Sequence, residues 1–182
     1  MIKVDIGKCT GCRMCETACS FHHSGAVNRH AARIKVVNLY RSGVDGPVVC
    51  VQCQERYCKD CPSDAISIGS LGQVIVSPTL CTLCKKCERK CPIGAIEIFN
   101  DLAYVCDLCG GSPKCVEACT EGAITYIPGQ KEVISLKEIK KETKKMNSSE
   151  KRAFTIKSFC GGVQGGQFFQ KAPPLAAGGL GV

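Results

Sequence analysis

Apolar residues in this chain fall into short alternating runs, too brief for long helices or wide sheets. Ile2-Lys3-Val4 alternates from the first residues and reads as a strand. Ile34–Leu39 is a longer apolar and β-branched run, followed by turn residues at Ser42-Gly43-Val44-Asp45-Gly46-Pro47. Three later runs repeat one another. Asp64-Ala65-Ile66-Ser67-Ile68, Gly94-Ala95-Ile96-Glu97-Ile98 and Gly122-Ala123-Ile124-Thr125-Tyr126 each combine a turn, a small alanine and an alternating strand. Gln73-Val74-Ile75-Val76 and Ala103-Tyr104-Val105 supply returning strands, so two short hairpins are expected. Helices fit only short stretches, within 13–21, 85–90 and 114–118. The pattern predicts an α+β fold of small pieces.

Composition explains what such small pieces pack against. Seventeen cysteines in 182 residues leave three readings: disulfides, zinc or iron-sulfur. No run resembles a signal peptide, no twin-arginine pair precedes the first cysteines, and no apolar stretch approaches spanning length. A cytoplasmic location is expected, where structural disulfides are disfavoured. The net charge of +8 counts every cysteine as neutral. An all-thiolate [4Fe-4S] site carries about −2, so four would cancel the excess. With 5% aromatic residues there are few platforms for stacking bases, and nucleic acid is not expected as a partner.

The spacing of the cysteines narrows the chemistry. Cys81, Cys84, Cys87 and Cys91-Pro92 follow the two-two-three spacing of a bacterial-type [4Fe-4S] run. Three thiolates two residues apart wrap one cluster, and the fourth ligates another. The run therefore demands a second motif, and the chain holds three: Cys9, Cys12, Cys15, Cys19; Cys50, Cys53, Cys58, Cys61; and Cys106, Cys109, Cys115, Cys119. Zinc sites pair two cysteines and take two more ligands after a longer interval, which these runs do not do. No trio has the C-x3-C-x2-C order of a radical S-adenosylmethionine enzyme. Spacing alone leaves two pairings open: first motif with fourth and second with third, or first with second and third with fourth.

With sixteen cysteines in four groups, 4–127 resembles the four-cluster ferredoxin-type subunits that serve molybdenum and tungsten pterin enzymes. A narrower likeness lies in Cys15-Glu16-Thr17-Ala18-Cys19-Ser20-Phe21-His22, Ala32-Arg33-Ile34-Lys35-Val36 and Cys106-Asp107-Leu108-Cys109-Gly110-Gly111-Ser112-Pro113-Lys114-Cys115. These segments are similar to small subunits of tungsten enzymes of the aldehyde:ferredoxin oxidoreductase family, including tungsten-dependent benzoyl-CoA reductases. The resemblance implies two nested ferredoxin-like modules around four [4Fe-4S] clusters, the outer from motifs one and four. It implies ligand sets of Cys9, Cys12, Cys15, Cys119; Cys19, Cys106, Cys109, Cys115; Cys50, Cys53, Cys58, Cys91; and Cys61, Cys81, Cys84, Cys87. Two departures stand out: only Lys59-Asp60 separates Cys58 from Cys61, and Thr120 replaces the usual proline after Cys119.

The expected division is a double ferredoxin-like domain over 1–130, a basic helix over 131–146 and an extended or flexible docking arm over 147–182. Val133, Leu136, Ile139 and Thr143 give the helix one face. The arm is rich in glycine and short of apolar residues. Cys160 within it, and His22, His23 and His30, are not expected to be ligands, since enough cysteines are already present. Lys85, Lys86, Arg13 and Lys59 lie beside cysteines, where they either raise cluster potentials, attract an acidic ferredoxin or are merely solvated. No nucleophile or acid-base pair is evident, so catalysis belongs to a partner. The function expected is electron transfer between an external carrier, such as a soluble ferredoxin or a further electron-transfer subunit, and a tungsten or molybdenum pterin subunit, in anaerobic metabolism. A free polyferredoxin and a zinc-stabilised interaction module are the alternatives.

Overall fold

The computed structural model describes residues 1–129 and 134–160. In chain order the strands are β1 (Ile2–Val4), β2 (Ile34–Leu39), β3 (Val44–Val49), β4 (Ile66–Ile68), β5 (Val74–Val76), β6 (Glu97–Phe99), β7 (Leu102–Tyr104) and β8 (Ile124–Tyr126). The helices are α1 (Met14–Ser24), α2 (Lys86–Lys90), α3 (Lys114–Glu117), α4 (Lys137–Glu142) and α5 (Ser148–Cys160). All sheets are two-stranded and antiparallel. The mixed small α and β pieces match the expected class.

Local chemistry explains the hairpins. β6 and β7 turn through Asn100 and Asp101, both at positive φ, as a two-residue primed turn requires. β4 and β5 turn through Gly72 at φ +77°. β2 and β3 are joined by a 3₁₀ turn over Tyr40–Ser42 and by Gly43 at φ +60°. The turn expected over 42–47 is therefore shorter, because β3 starts at Val44 and places Pro47 opposite Val36. Proline is tolerated there because every strand of a two-stranded sheet has an unpaired edge.

β1 does not pair with a neighbour in sequence. Its partner is β8, with Ile2 opposite Tyr126 and Val4 opposite Ile124. The amino-terminal ammonium donates to the Ile127 carbonyl at 2.7 Å. The strand after the fourth cysteine motif thus closes on the strand before the first. The alanines that precede β4, β6 and β8 (Ala65, Ala95 and Ala123) are all buried.

The carboxy-terminal part departs from expectation. The helix expected over 131–146 is α4, six residues long. Just before it, Ile134 O accepts from Gln54 N at 2.8 Å and Glu55 accepts from Leu136 N at 3.1 Å. Of the expected face, Leu136 and Thr143 are buried and Ile139 packs on the core, while Val133 lies outside the described residues. The arm expected from residue 147 instead begins with helix α5. Asn147 and Glu150 form a reciprocal cap, each backbone N–H bonding the other side chain at 2.8 and 2.9 Å. α5 packs on β2 and β3, and its Lys151, Thr155 and Ile156 are buried. The remainder of the expected arm, 161–182, lies outside the described residues. Among the described residues no helix is long and apolar enough to cross a membrane.

Candidate metal centres

The cysteine loops are built from left-handed backbone. Gly11, between Cys9 and Cys12, has φ +69°, and Arg13 follows at +63°. Gln52 separates Cys50 from Cys53 at +48°, Leu83 and Lys85 flank Cys84 at +55° and +58°, and Leu108 and Cys109 stand at +61° and +48°. Each non-glycine residue in this conformation costs about 1–2 kcal/mol. What the cost secures is a concave row of amide N–H groups, the backbone nest found at iron-sulfur and anion sites. Gly11 N–H faces the Cys9 sulfur, Gln52 faces Cys50, Arg56 and Tyr57 face Cys53, and Leu108 faces Cys106. Arg33 N donates to Cys19 Sγ at 3.2 Å, and Ala95 N to Cys91 Sγ at 3.3 Å.

The fold gathers these loops. Cys9, Cys12, Cys15 and Cys119 line one cavity. Cys61, Cys81, Cys84 and Cys87 line another, so the short Cys58–Cys61 interval still brings Cys61 to the third motif. Cys19, Cys106, Cys109 and Cys115 are near enough that Cys19 and Cys109 repel the thiolates of Cys106 and Cys115. Cys50, Cys53 and Cys58 all feel Cys91. Contacts also run between groups. Cys15 acts on Cys115, Cys106 is the strongest charged neighbour of Cys50, and Cys87 acts on Cys58. The four groups therefore adjoin, the first (Cys9) with the second (Cys19), the second with the third (Cys50) and the third with the fourth (Cys61). Each end group has one exposed cysteine, Cys12 or Cys84, although Cys15 is buried, whereas the middle groups have none exposed: Cys19, Cys50, Cys58, Cys106 and Cys115 are buried and Cys53, Cys91 and Cys109 half-buried.

Burial dominates the electrostatics. It pushes the Cys15 and Cys58 thiols up to about 12 and Cys87 to about 11, and raises Cys50, Cys106 and Cys115 as well. Cys61 runs the other way, lowered first by the Ser63 hydroxyl 3.5 Å from its sulfur. Thiolates in such surroundings need a metal centre to hold their charge. A single zinc ion, with Zn–S of about 2.3 Å, would need sulfurs about 4 Å apart. Among the described residues the one trio of ligand atoms that close is His22, His23 and Cys109, all within 4.8 Å of one another. All-sulfur donor sets with amide-capped sulfurs fit [4Fe-4S] centres.

Sequence reasoning overlooked some surroundings. His23 Nε2 lies 3.7 Å from Cys109 Sγ and 3.5 Å from Asp107, which also pairs with Arg33. Glu16, between Cys15 and Cys19, is buried, accepts from Val36 N at 2.6 Å and pairs with Arg13. Its helical position between two buried cysteines was the available signal. His30 stacks on Phe99 and serves packing, as expected.

A 4Fe-4S binding domain model matches residues 74–97. The polyferredoxin-like subunit of an aliphatic sulfonate oxidoreductase from Pyrococcus furiosus is 42% identical over 118 residues, covering 63% of this chain and 68% of that one. The putative electron transport protein YsaA of Escherichia coli is 36% identical over 145 residues, covering 71% and 90%. Among solved structures, the active site complex BamBC of benzoyl coenzyme A reductase with benzoyl-CoA is similar at 22% identity and a TM-score of 0.43, covering 85% and 96%. The chain belongs to the polyferredoxin-like family of iron-sulfur electron-transfer proteins.

Proposed function

We propose that this chain is the non-catalytic electron-transfer subunit of a larger oxidoreductase, holding four [4Fe-4S] clusters in nested ligand sets. The sets are Cys9, Cys12, Cys15, Cys119; Cys19, Cys106, Cys109, Cys115; Cys50, Cys53, Cys58, Cys91; and Cys61, Cys81, Cys84, Cys87. When bound, each cluster supplies one-electron redox chemistry. The protein's part is to hold the thiolates, cap them with amides and exclude water from the middle pair. The observation that carries the reading is that the four groups adjoin one another and that the exposed cysteines, Cys12 and Cys84, fall in the first and last of them. That is the arrangement of a wire between two partners.

The two ends differ in character. Near Cys12, Met14 and Phe21 stand seven residues apart on one face of α1, 51% and 59% exposed. That apolar face suits a stable protein interface with a catalytic tungsten or molybdenum pterin subunit. Near Cys84, Lys59 and Lys85 are exposed, which suits transient exchange with an acidic ferredoxin or further carrier. The P. furiosus relative is named as a subunit of an aliphatic sulfonate oxidoreductase, which supports a role inside a complex.

Anaerobic purification from the native extract tests this. The expected result is about sixteen iron and sixteen acid-labile sulfide per chain, with a co-purifying subunit that contains tungsten or molybdenum. Zinc without sulfide would overturn the cluster assignment. A chain that runs alone in the native extract would make it a free polyferredoxin.

A further inference from the structure

α4 and α5 lie outside the repeated cysteine motifs, yet both send a lysine to the same spot. Lys140 Nζ donates to Lys90 O at 2.6 Å, and Lys151 Nζ donates to Arg89 O at 2.7 Å. Those are the last two carbonyls before Cys91, at the end of α2. Lys151 is 2% exposed, the largest fully buried side chain among the described residues. Burying an ammonium costs several kcal/mol unless a negative charge faces it. The neighbouring Arg152 is matched by Glu97 at 3.6 Å. Among the described residues, Lys140 and Lys151 are in no ion pair with a carboxylate.

Capping the α2 carbonyls would explain the hydrogen bonds. It does not explain why a cation is kept in a site where polar neutral residues would serve. The charged groups facing Lys151 are Cys91 and, more weakly, Glu88, with Lys140 opposing. Glu88 already accepts from Ser148 Oγ at 3.2 Å. Cys91 is the one cysteine felt by both lysines.

We propose that Lys151, assisted by Lys140, is a positioning residue that raises the reduction potential of the centre ligated by Cys91. This rests on the assignment of Cys91, with Cys50, Cys53 and Cys58, to a cluster. A fixed positive charge stabilises the more negative, reduced state, and it acts through low-dielectric surroundings where screening is weak. The carboxy-terminal helices would thereby set one step in the row of centres apart from the others.

The experiment is an EPR-monitored redox titration of the full chain, anaerobically loaded, as wild type, Lys151→Met, Lys151→Arg and Lys140→Met, with iron and sulfide assayed on each. Full iron content is expected in all four. In Lys151→Met one of the four waves should move to lower potential by about tenfold in the reduced-to-oxidised ratio, equivalent to about 59 mV. Lys151→Arg should restore it, and Lys140→Met should move the same wave less. Full iron with four unmoved waves in both Met variants would overturn the proposal while leaving the cluster assignment intact. Absence of iron and sulfide in the wild type would overturn the assignment itself, and the proposal with it. Should Lys151→Met lose iron, the partly exposed Lys140→Met decides: a downward shift supports the proposal, and no shift overturns it.

Discussion

At the scale of single residues, the cysteine loops depend on backbone that most side chains avoid. Gly11 shows why glycine is required at some of these positions while other residues serve elsewhere. A Cβ at Gly11 would fall 2.5 Å from the Asp45 carboxylate and 2.9 Å from Asn38 Nδ2, in addition to the φ of +69°. Gly11→Ala should therefore cost about 1–2 kcal/mol from backbone strain alone, and displace the Asp45–Asn38 pair. It should lower the guanidinium midpoint and the occupancy of the Cys9 centre. Lys85 has the same left-handed conformation but is exposed. Lys85→Gly should be neutral to about 1 kcal/mol more stable, because relief of strain outweighs the added freedom of the unfolded chain. A lower midpoint for Lys85→Gly would show that these loops are not strained at rest.

At the scale of elements, the short hairpins were legible because alternation and turn residues are local. The three repeats lie where the strand pattern puts them, and β2 covers the expected residues. α5 was not legible from apolar content, because its buried face is Lys151, Thr155 and Ile156 rather than a run of large aliphatics. The signal present was its cap, Asn147-Ser148-Ser149-Glu150, which glycine-rich sequence beyond it masked. β3 was not legible for a similar reason: Gly46 and Pro47 read as a turn, whereas Gly46 leaves room for Ile156, whose Cδ1 lies 2.6 Å from the site of a Cβ. Ile156 is 0% exposed. Ile156→Ala should destabilise the loaded chain by about 2–4 kcal/mol, measured by anaerobic denaturant unfolding. An effect under about 0.5 kcal/mol, the range of a surface change, would mean that α5 is not docked in solution.

At the scale of the whole molecule, the decisive matter is which motif completes which site. Spacing says that a fourth cysteine crosses to another motif, but it carries no information on tertiary pairing, so both pairings stood open. The pairing of β1 with β8 supplies what spacing lacks, since it carries Cys119 back beside Cys9. If Cys119 completes the Cys9 centre, Cys9 and Cys119 are two ligands of one cluster and their losses must not add. Cys9→Ala and Cys119→Ala should each lose one cluster's worth of iron, and the double variant should lose no more than either. Cys119→Ala combined with Cys81→Ala should lose two. Sequential pairing demands the reverse, because Cys119 would then share a centre with Cys81, Cys84 and Cys87. Iron and sulfide analysis of these four variants distinguishes the pairings without any partner protein. It also tests the order of centres, since a succession from the Cys12 group to the Cys84 group exists only if the first and fourth motifs meet at the first site.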